Sequence, residues 1–462
     1  MTYLWSSKMS QVNSPTKSAS SSKGSSPARV ALAALIGSVV EYYDYFLYAT
    51  AAPLVFSKIM FPSHDPFVGT LLAFATFATG YFARPFGGIF FGVLGDKLGR
   101  KRVLTITIFV MGLSTIGIGL TPSYSSVGIL APILLVLFRI VQGAAAGGEF
   151  SGASILSMES APRERRGFQG AWPASGVFIG IALASGLFAL FVNLLSPDQF
   201  LSWGWRIPFL LSAVAIVVAV IVRNKIEDSA IYREAKETGV VSKTPFRHIL
   251  KHEKKAALTV IGGQVAQQIN SYVYLTFATT YIAGTLNLSA SIGPLGVGIG
   301  CVATAATVPL FGWLSDRYGR KPILLFGAAS GAAFAFPFFM LLNTRVNAVI
   351  IIALIIGLSV GNAALIAPQG AYFSELFTMR GRFAGFSASR EIASSLFGGP
   401  FPLIAVALVG VTGSYWPVAA IAIFVCGVGA LAFSLSPDTY RPKKLPGTAN
   451  SAPEPSAKVE IP

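Results

Sequence analysis

Seven ionisable side chains stand inside stretches that are otherwise apolar: Glu41, Asp44, Arg84, Arg139, Glu149, Arg390 and Glu391. Glu41 and Asp44 are three residues apart, on one face of a helix that Tyr45 and Tyr48 extend. Two carboxyl groups this close and poorly hydrated cannot both ionise cheaply, so one is expected to hold a proton. Such a group can load a proton from one side of a barrier and release it to the other. The inert alternative is a static network of ion pairs that ties helices together.

The guanidinium groups suggest a second chemistry, the two-point grip on a carboxylate. Arg84 precedes Pro85 and Gly87-Gly88 and either binds an acidic ligand or bridges to Glu41. Arg390 argues most for an anionic ligand; otherwise it pairs with a nearby acid or reaches out to the membrane surface. Its neighbour Glu391 points about 100° away on a helix, which makes it a poor direct partner. Arg139 and Gln142 share a face, and Gly143, Gly147, Gly148 and Gly152 give the same helix a close-packing seam. Glu149 lies roughly 15 Å further along, beyond a partner at the level of Arg139; it serves another buried donor or has a role of its own. Gln264, Gln267, Gln268 and Ser271 fall on one face, with Asn270, Tyr272 and Tyr274 close by. Buried amides need hydrogen bonds, so that row is a polar cavity wall or interhelical glue.

These groups need elements to hold them. The chain has 462 residues, 53% hydrophobic and 12% charged, where a soluble domain carries roughly 25% charged. With a mean hydropathy of +0.65, that excludes an ordinary soluble enzyme, a disordered chain and a nucleic-acid-binding module. Twelve apolar stretches, each near the ~20 residues that span a bilayer, cover 28–56, 67–94, 103–121, 127–153, 167–193, 205–222, 256–284, 293–314, 322–342, 347–372, 384–410 and 416–435. The expected fold class is an all-α membrane protein of two six-helix bundles, residues 28–222 and 256–436. Ser-rich residues 1–27 and Pro-rich residues 437–462 are expected to be disordered tails, and 223–255 a linker with a surface helix around 226–237.

The net charge of +16 follows the same plan. With both termini on one side, 29 of the 35 Lys and Arg fall on that side. Lys58, Arg206 and Arg345 fall opposite, and Arg84, Arg139 and Arg390 lie within spans. The bias puts both termini in the cytoplasm and makes the basic excess a topology signal, with no nucleic acid partner implied. Cys301 and Cys426 supply neither a disulfide framework nor a metal site, the three histidines lie in loops, and there is no phosphate-binding G-x-x-x-x-G-K-[ST]. No metal, cofactor or ATP-driven step is therefore expected.

The chain also repeats itself. Gly92-Val-Leu94-Gly-Asp96-Lys97-Leu-Gly99-Arg100-Lys101 returns as Gly312-Trp-Leu314-Ser-Asp316-Arg317-Tyr-Gly319-Arg320-Lys321, and Glu159 and Arg166 return as Glu375 and Arg382. Each pair occupies an equivalent loop of its six-span half. Two halves in the same orientation are the plan of a transporter with its ligand site between them. Asp96, Arg100, Glu159 and Arg166, with their twins Asp316, Arg320, Glu375 and Arg382, make a charge latch on the cytoplasmic side, closed when the protein faces outward. The preference for Lys and Arg on that side explains the cations alone, but not the two Asp residues.

The repeated decapeptide resembles the signature of the major facilitator superfamily. Glu41-Tyr-Tyr-Asp44, Tyr81-Phe-Ala-Arg84-Pro85-Phe-Gly87-Gly88 and Arg139-Ile-Val-Gln142-Gly143-Ala-Ala-Ala-Gly147-Gly148-Glu149 are similar to its metabolite:proton symporter branch. The resemblance covers about residues 28–436; Ser389-Arg390-Glu391 departs from it, because the branch more often has neutral residues there. It implies a multi-pass bacterial inner-membrane carrier, not an enzyme, working as a monomer in the lipid bilayer on the proton gradient. By the same resemblance, in which a first-helix acid faces a fourth-helix Arg, Asp44 or Glu41 is expected opposite Arg139, with Asp44 the favoured proton carrier. Arg84, Gln142, Gln264, Gln268, Arg390 and Tyr45 are the expected substrate contacts. The expected activity is import of a small organic acid with protons. The alternatives are a proton-coupled carrier of a zwitterionic osmolyte such as betaine or proline, and a carrier-like solute receptor.

Overall fold

A computed structural model describes residues 26–63, 65–98, 100–147, 149–224, 249, 252–378 and 381–440. The described residues form helices joined by short turns and contain no strand. Among the described residues, twelve long helices build the two halves. The first half holds α1 (Pro27–Ile59), α2 (Pro66–Leu98), α3 (Arg100–Leu120), α4 (Leu130–Glu159), α5 (Arg163–Leu194) and α6 (Pro197–Ile221). The second holds α7 (254–285), α8 (Ile292–Tyr318), α9 (Arg320–Leu342), α10 (Asn347–Glu375), α11 (Arg382–Thr412) and α12 (Trp416–Leu435). Ten of these are long and apolar enough to cross a membrane by composition alone. The other two are α3, apolar over Thr105–Leu120, and α7, which carries the Gln and Asn row. The surface helix expected around 226–237 and most of the two expected tails lie outside the described residues; the described parts of the tails are ordered, Pro27 opening α1 and Thr439 donating to Glu375 Oε2 at 2.7 Å.

Several helices overrun the apolar stretches from which they are read. α4 continues to Glu159, α10 to Glu375 and α2 to Leu98, while α6 begins at Pro197. Hydropathy marks only the part of a helix immersed in hydrocarbon, whereas backbone hydrogen bonding continues beyond it. Outward-facing side chains such as Leu137, Leu183, Val217, Met340 and Phe424 are exposed, as a lipid-facing surface requires. Short π-helical turns interrupt α1 at 52–56, α7 at 273–277 and 281–285, α10 at 357–362 and α11 at 394–398. Pro53 and Pro400, which lack an N–H, explain two of them.

Glycine sets the closest helix approach, between α2 and α4. A methyl group at Gly143 would occupy the place of the Gly80 carbonyl, and one at Gly147 that of the Arg84 carbonyl. The Gly143→Ala protein is therefore expected to lose about 1–3 kcal/mol of stability by overpacking. Thermal unfolding in detergent reads the loss; an unchanged midpoint would refute the tight contact. Gly319, between α8 and α9, adopts φ +103°, a backbone conformation that residues with a Cβ rarely take, and lets the two helices reverse in a single residue.

The halves meet along α2 with α11 and α5 with α8. Ser175 Oγ donates to the Ala305 carbonyl at 2.7 Å, and Ser395 Oγ to that of Tyr81 at 2.7 Å. Gly410 packs on the Phe67 ring away from the termini, and Arg382 pairs with Glu159 on the side that carries them. Contact at both ends and in the middle makes this an occluded arrangement.

Candidate functional site

The seam between the halves holds a chain of alternating charges. Arg84 Nη2 lies 3.6 Å from Glu41 Oε1, and Arg84 Nη1 3.7 Å from Glu391 Oε2. Glu391 Oε1 accepts a hydrogen bond from Arg390 Nη1 at 2.7 Å, and Arg390 Nη2 donates to the Tyr42 hydroxyl at 2.9 Å. None of the four charged residues is more than 5% exposed, so each depends on the others for charge compensation. The Arg84 guanidinium also lies over the Tyr45 ring at 4.5 Å and the Tyr81 ring at 4.9 Å, and that of Arg390 over Phe150 at 4.2 Å. These faces stabilise a cation without offering it a hydrogen bond.

The cluster has unused hydrogen-bonding capacity. Both Glu41 carboxyl oxygens, Glu391 Oε2 and Arg84 Nε and Nη2 are buried without a hydrogen-bond partner. Buried polar atoms are normally satisfied, so this spot can accept a proton on an acid or a carboxylate on a guanidinium. Tyr81 and Tyr272 touch hydroxyl to hydroxyl beside it, closing the seam between α2 and α7.

Two expectations are corrected here. Neither acid of α1 faces Arg139. Its Nη1 donates to Gln142 Oε1 at 2.5 Å and its Nη2 to the Phe77 carbonyl at 3.1 Å. Its guanidinium lies over Tyr45, Tyr48 and Phe77 at 4.4, 4.3 and 4.9 Å. Asp44 turns into the first half, where Oδ1 accepts from Ser212 Oγ of α6 at 2.5 Å. Three residues of helix leave about 60° between Glu41 and Asp44, enough to send one to the seam and the other into the bundle. The second correction concerns Glu391, which does bond its neighbour Arg390. Two long side chains close the angle between their Cβ directions, and charges in a dry site have few other partners.

Gln142 stays within the first half, donating to Thr115 Oγ1 at 2.7 Å and the Asp44 carbonyl at 3.2 Å. The α7 row divides. Gln264 Nε2 donates to Gln268 Oε1 at 3.1 Å, and Ser394 of α11 donates to the same oxygen at 2.7 Å. Gln267 and Ser271 instead reach Asn362 of α10, at 3.4 and 2.6 Å. These bonds stay inside the second half, so the interhelical reading describes most of the row. Asn362, Tyr42, Phe150 and Ser212 escape the sequence reading, and Tyr81 and Tyr272 appear in it without their contact across the seam. Asn362 is detectable as an amide within an apolar stretch; the rings are not, because tyrosine and phenylalanine recur throughout the spans.

The latch residues cross between the halves in a pattern the repeat does not predict. Arg320 binds Asp316 at 2.7 Å and Glu375 at 3.2 Å within the second half. Asp316 also accepts the backbone N–H groups of Gly167 and Phe168, both at 2.8 Å, and Arg382 pairs with Glu159 at 3.1 Å. Arg166 Nε has no hydrogen-bond partner among the described residues, and the side chains of Asp96 and Arg100 are outside them.

Comparison with known proteins agrees with this architecture. The family model "Major Facilitator Superfamily" matches residues 34–398 and 260–460. The chain is similar to the "Shikimate transporter" of Escherichia coli (strain K12), 38% identical over 420 residues, covering 89% of this chain and 95% of the relative. It is also similar to the "Glycine betaine/proline/ectoine/pipecolic acid transporter OusA" of Dickeya dadantii (strain 3937), 34% identical over 438 residues, covering 93% and 87%. Among solved structures, the xylose transporter XylE from E. coli in a partially occluded inward open conformation shares the fold. Its TM-score is 0.67 at 18% identity, over 90% of this chain and 99% of that one.

Proposed function

The chain belongs to the Major Facilitator Superfamily and is a multi-pass membrane transporter, and from that premise we propose that it imports a small organic acid together with protons. The observation that carries the reading is the pair of buried guanidiniums, Arg84 and Arg390, held at the seam of the halves by Glu41 and Glu391. An acid entering there finds two-point donors, and Glu41, without any hydrogen bond, is the carboxyl best placed to take the proton. An interior potential of −100 mV opposes each entering negative charge by about 2.3 kcal/mol, which a proton carried along removes.

In this reading α1 and α2 supply the proton acceptor and its cation, and α11 supplies the second cation. Tyr45 and Tyr81 cover the Arg84 guanidinium with their ring faces. The pair Arg382–Glu159 and the Asp316 carboxylate on the α5 backbone close the side that carries both termini. In this reading that side faces the cytoplasm of a bacterial inner membrane, and the chain works as a monomer in the bilayer with no cofactor beyond the proton gradient.

The test is proton movement in proteoliposomes when an acid is added outside. Mono-, di- and aromatic carboxylates, shikimate among them, are first ranked against betaine and proline by thermal shift. Internal acidification that accompanies uptake is the expected result; acid uptake without any pH change would sink the reading. A second reading, symport of a zwitterionic osmolyte, is favoured by the osmolyte-transporting relative and by the aromatic faces of Tyr45, Tyr81 and Phe150, which suit a quaternary ammonium group. It predicts stabilisation by betaine or proline and an Arg390→Ala variant whose affinity is little changed.

A further inference from the structure

The charge cluster is divided between the halves in a way that transport must disturb. Glu41 and Arg84 both belong to the first half and travel together; Arg390 and Glu391 both belong to the second. Each half thus carries one acid and one base. Within the cluster, two polar contacts cross between the halves, Arg84 Nη1 to Glu391 Oε2 at 3.7 Å and Arg390 Nη2 to the Tyr42 hydroxyl at 2.9 Å. When the halves part on either side of the membrane, these are the contacts that break, and Arg84 and Arg390 then face the open space between them.

Glu391 is the member of the cluster that touches both guanidiniums, with Oε1 on Arg390 and Oε2 toward Arg84. Geometrically it holds the place of a ligand carboxylate. We infer that Glu391 is a resident counter-anion: in the substrate-free protein its carboxylate occupies the seat between Arg84 and Arg390 that a substrate carboxylate takes during transport, and the exchange carries one proton per carboxylate. The inference rests on the organic-acid reading above and adds the group that competes for the site.

The charge count gives the stoichiometry. Counted over Glu41, Glu391, Arg84 and Arg390, all ionised, the charges cancel, and an incoming monocarboxylate adds one negative charge beyond whatever fixed charge Glu149 contributes. A buried excess charge is costly, so binding draws one proton onto the Glu41–Glu391 pair. That proton comes from the outer water and is released with the substrate on the other side; no bond other than O–H forms or breaks. Glu391 meets Arg390 on its own helix and Arg84 from α2; Glu41 and Tyr42 from α1 contact the same two guanidiniums, and Tyr81 from α2 lies against Arg84. Glu149 from α4, next to Phe150 under Arg390, is the further buried acid on that side.

The experiment uses the purified full-length protein in detergent with acetate, benzoate and shikimate as probes. Binding is titrated calorimetrically between pH 6 and 8 in two buffers of different protonation enthalpy. In the wild type, uptake of one proton per bound carboxylate should weaken the affinity about tenfold per pH unit. In Glu391→Gln the cluster has one free positive charge. At least one probe should bind tighter than to wild type at the upper end of the range, with no proton uptake and a flat pH profile. Glu391→Asp should keep the wild-type proton count. A Glu391→Gln protein that keeps the wild-type slope, or binds none of the three probes better, overturns the inference. If that variant cannot be purified folded, a wild-type proton count of zero overturns it equally. The organic-acid symport reading fails on a different result: wild-type vesicles that accumulate acid without moving protons.

Discussion

Arg84→Ala is expected to stop uptake entirely and to lower the stability of the detergent-solubilised protein by about 3–5 kcal/mol, the usual cost of leaving a buried charge without its partner. The guanidinium stands between Glu41 at 3.6 Å and Glu391 at 3.7 Å and is 2% exposed, so neither acid has water to fall back on. Its loss also uncovers the Tyr45 and Tyr81 rings on which it stacks. Arg84→Lys keeps the charge but loses the planar fork; it should fold, with uptake reduced rather than abolished. Melting curves and radiolabelled uptake read both effects. An Arg84→Ala protein with wild-type melting and transport would show that the charge chain is ornamental.

The second large effect is expected at Glu41. In proteoliposomes with one unit more acidic medium outside, a carrier that couples one proton accumulates its substrate about tenfold. Glu41→Gln should accumulate none above equilibrium, while exchange of labelled for unlabelled substrate persists because the halves still close around the site. The glutamine cannot be loaded, and its amide still fits beside Arg84. Asp44→Asn should retain gradient-driven accumulation, since that carboxyl bonds Ser212 inside the first half, away from the seam. Accumulation by Glu41→Gln equal to wild type, with loss in Asp44→Asn, would move the coupling site back into the bundle.

That reversal of emphasis between two acids one helical turn apart measures how far the sequence reads. The intramembrane charges and the helices that carry them are legible, because a charge in an apolar run is conspicuous whatever surrounds it. The choice of partner is not. Arg139 looks like the natural counter-ion of α1, yet aromatic faces and the Gln142 amide surround it. Rings in a membrane helix are too common to signal a cation site. Glu391 looks turned away from Arg390, yet the two bond at 2.7 Å, since flexible side chains reach round a helix more readily than a helical-wheel projection allows. The pairings of the latch are equally hidden: the repeat finds Asp316, Arg320, Glu375 and Arg382, but not that Arg382 crosses to Glu159 while Asp316 takes two backbone amides of α5.

The amino-acid sequence alone determined the membrane plan: twelve spans, six and six, duplicated. It could do so because hydropathy, charge bias and internal repetition are properties of segments and do not depend on what packs against them. Only the tertiary structure decided which buried acid meets which buried base, and that Arg84 and Glu391 join the two halves. Such pairings follow from helix rotation and tilt, which are set by close contacts like that of Gly143 on the Gly80 backbone, and a few tens of degrees at such a contact redirect a whole side chain.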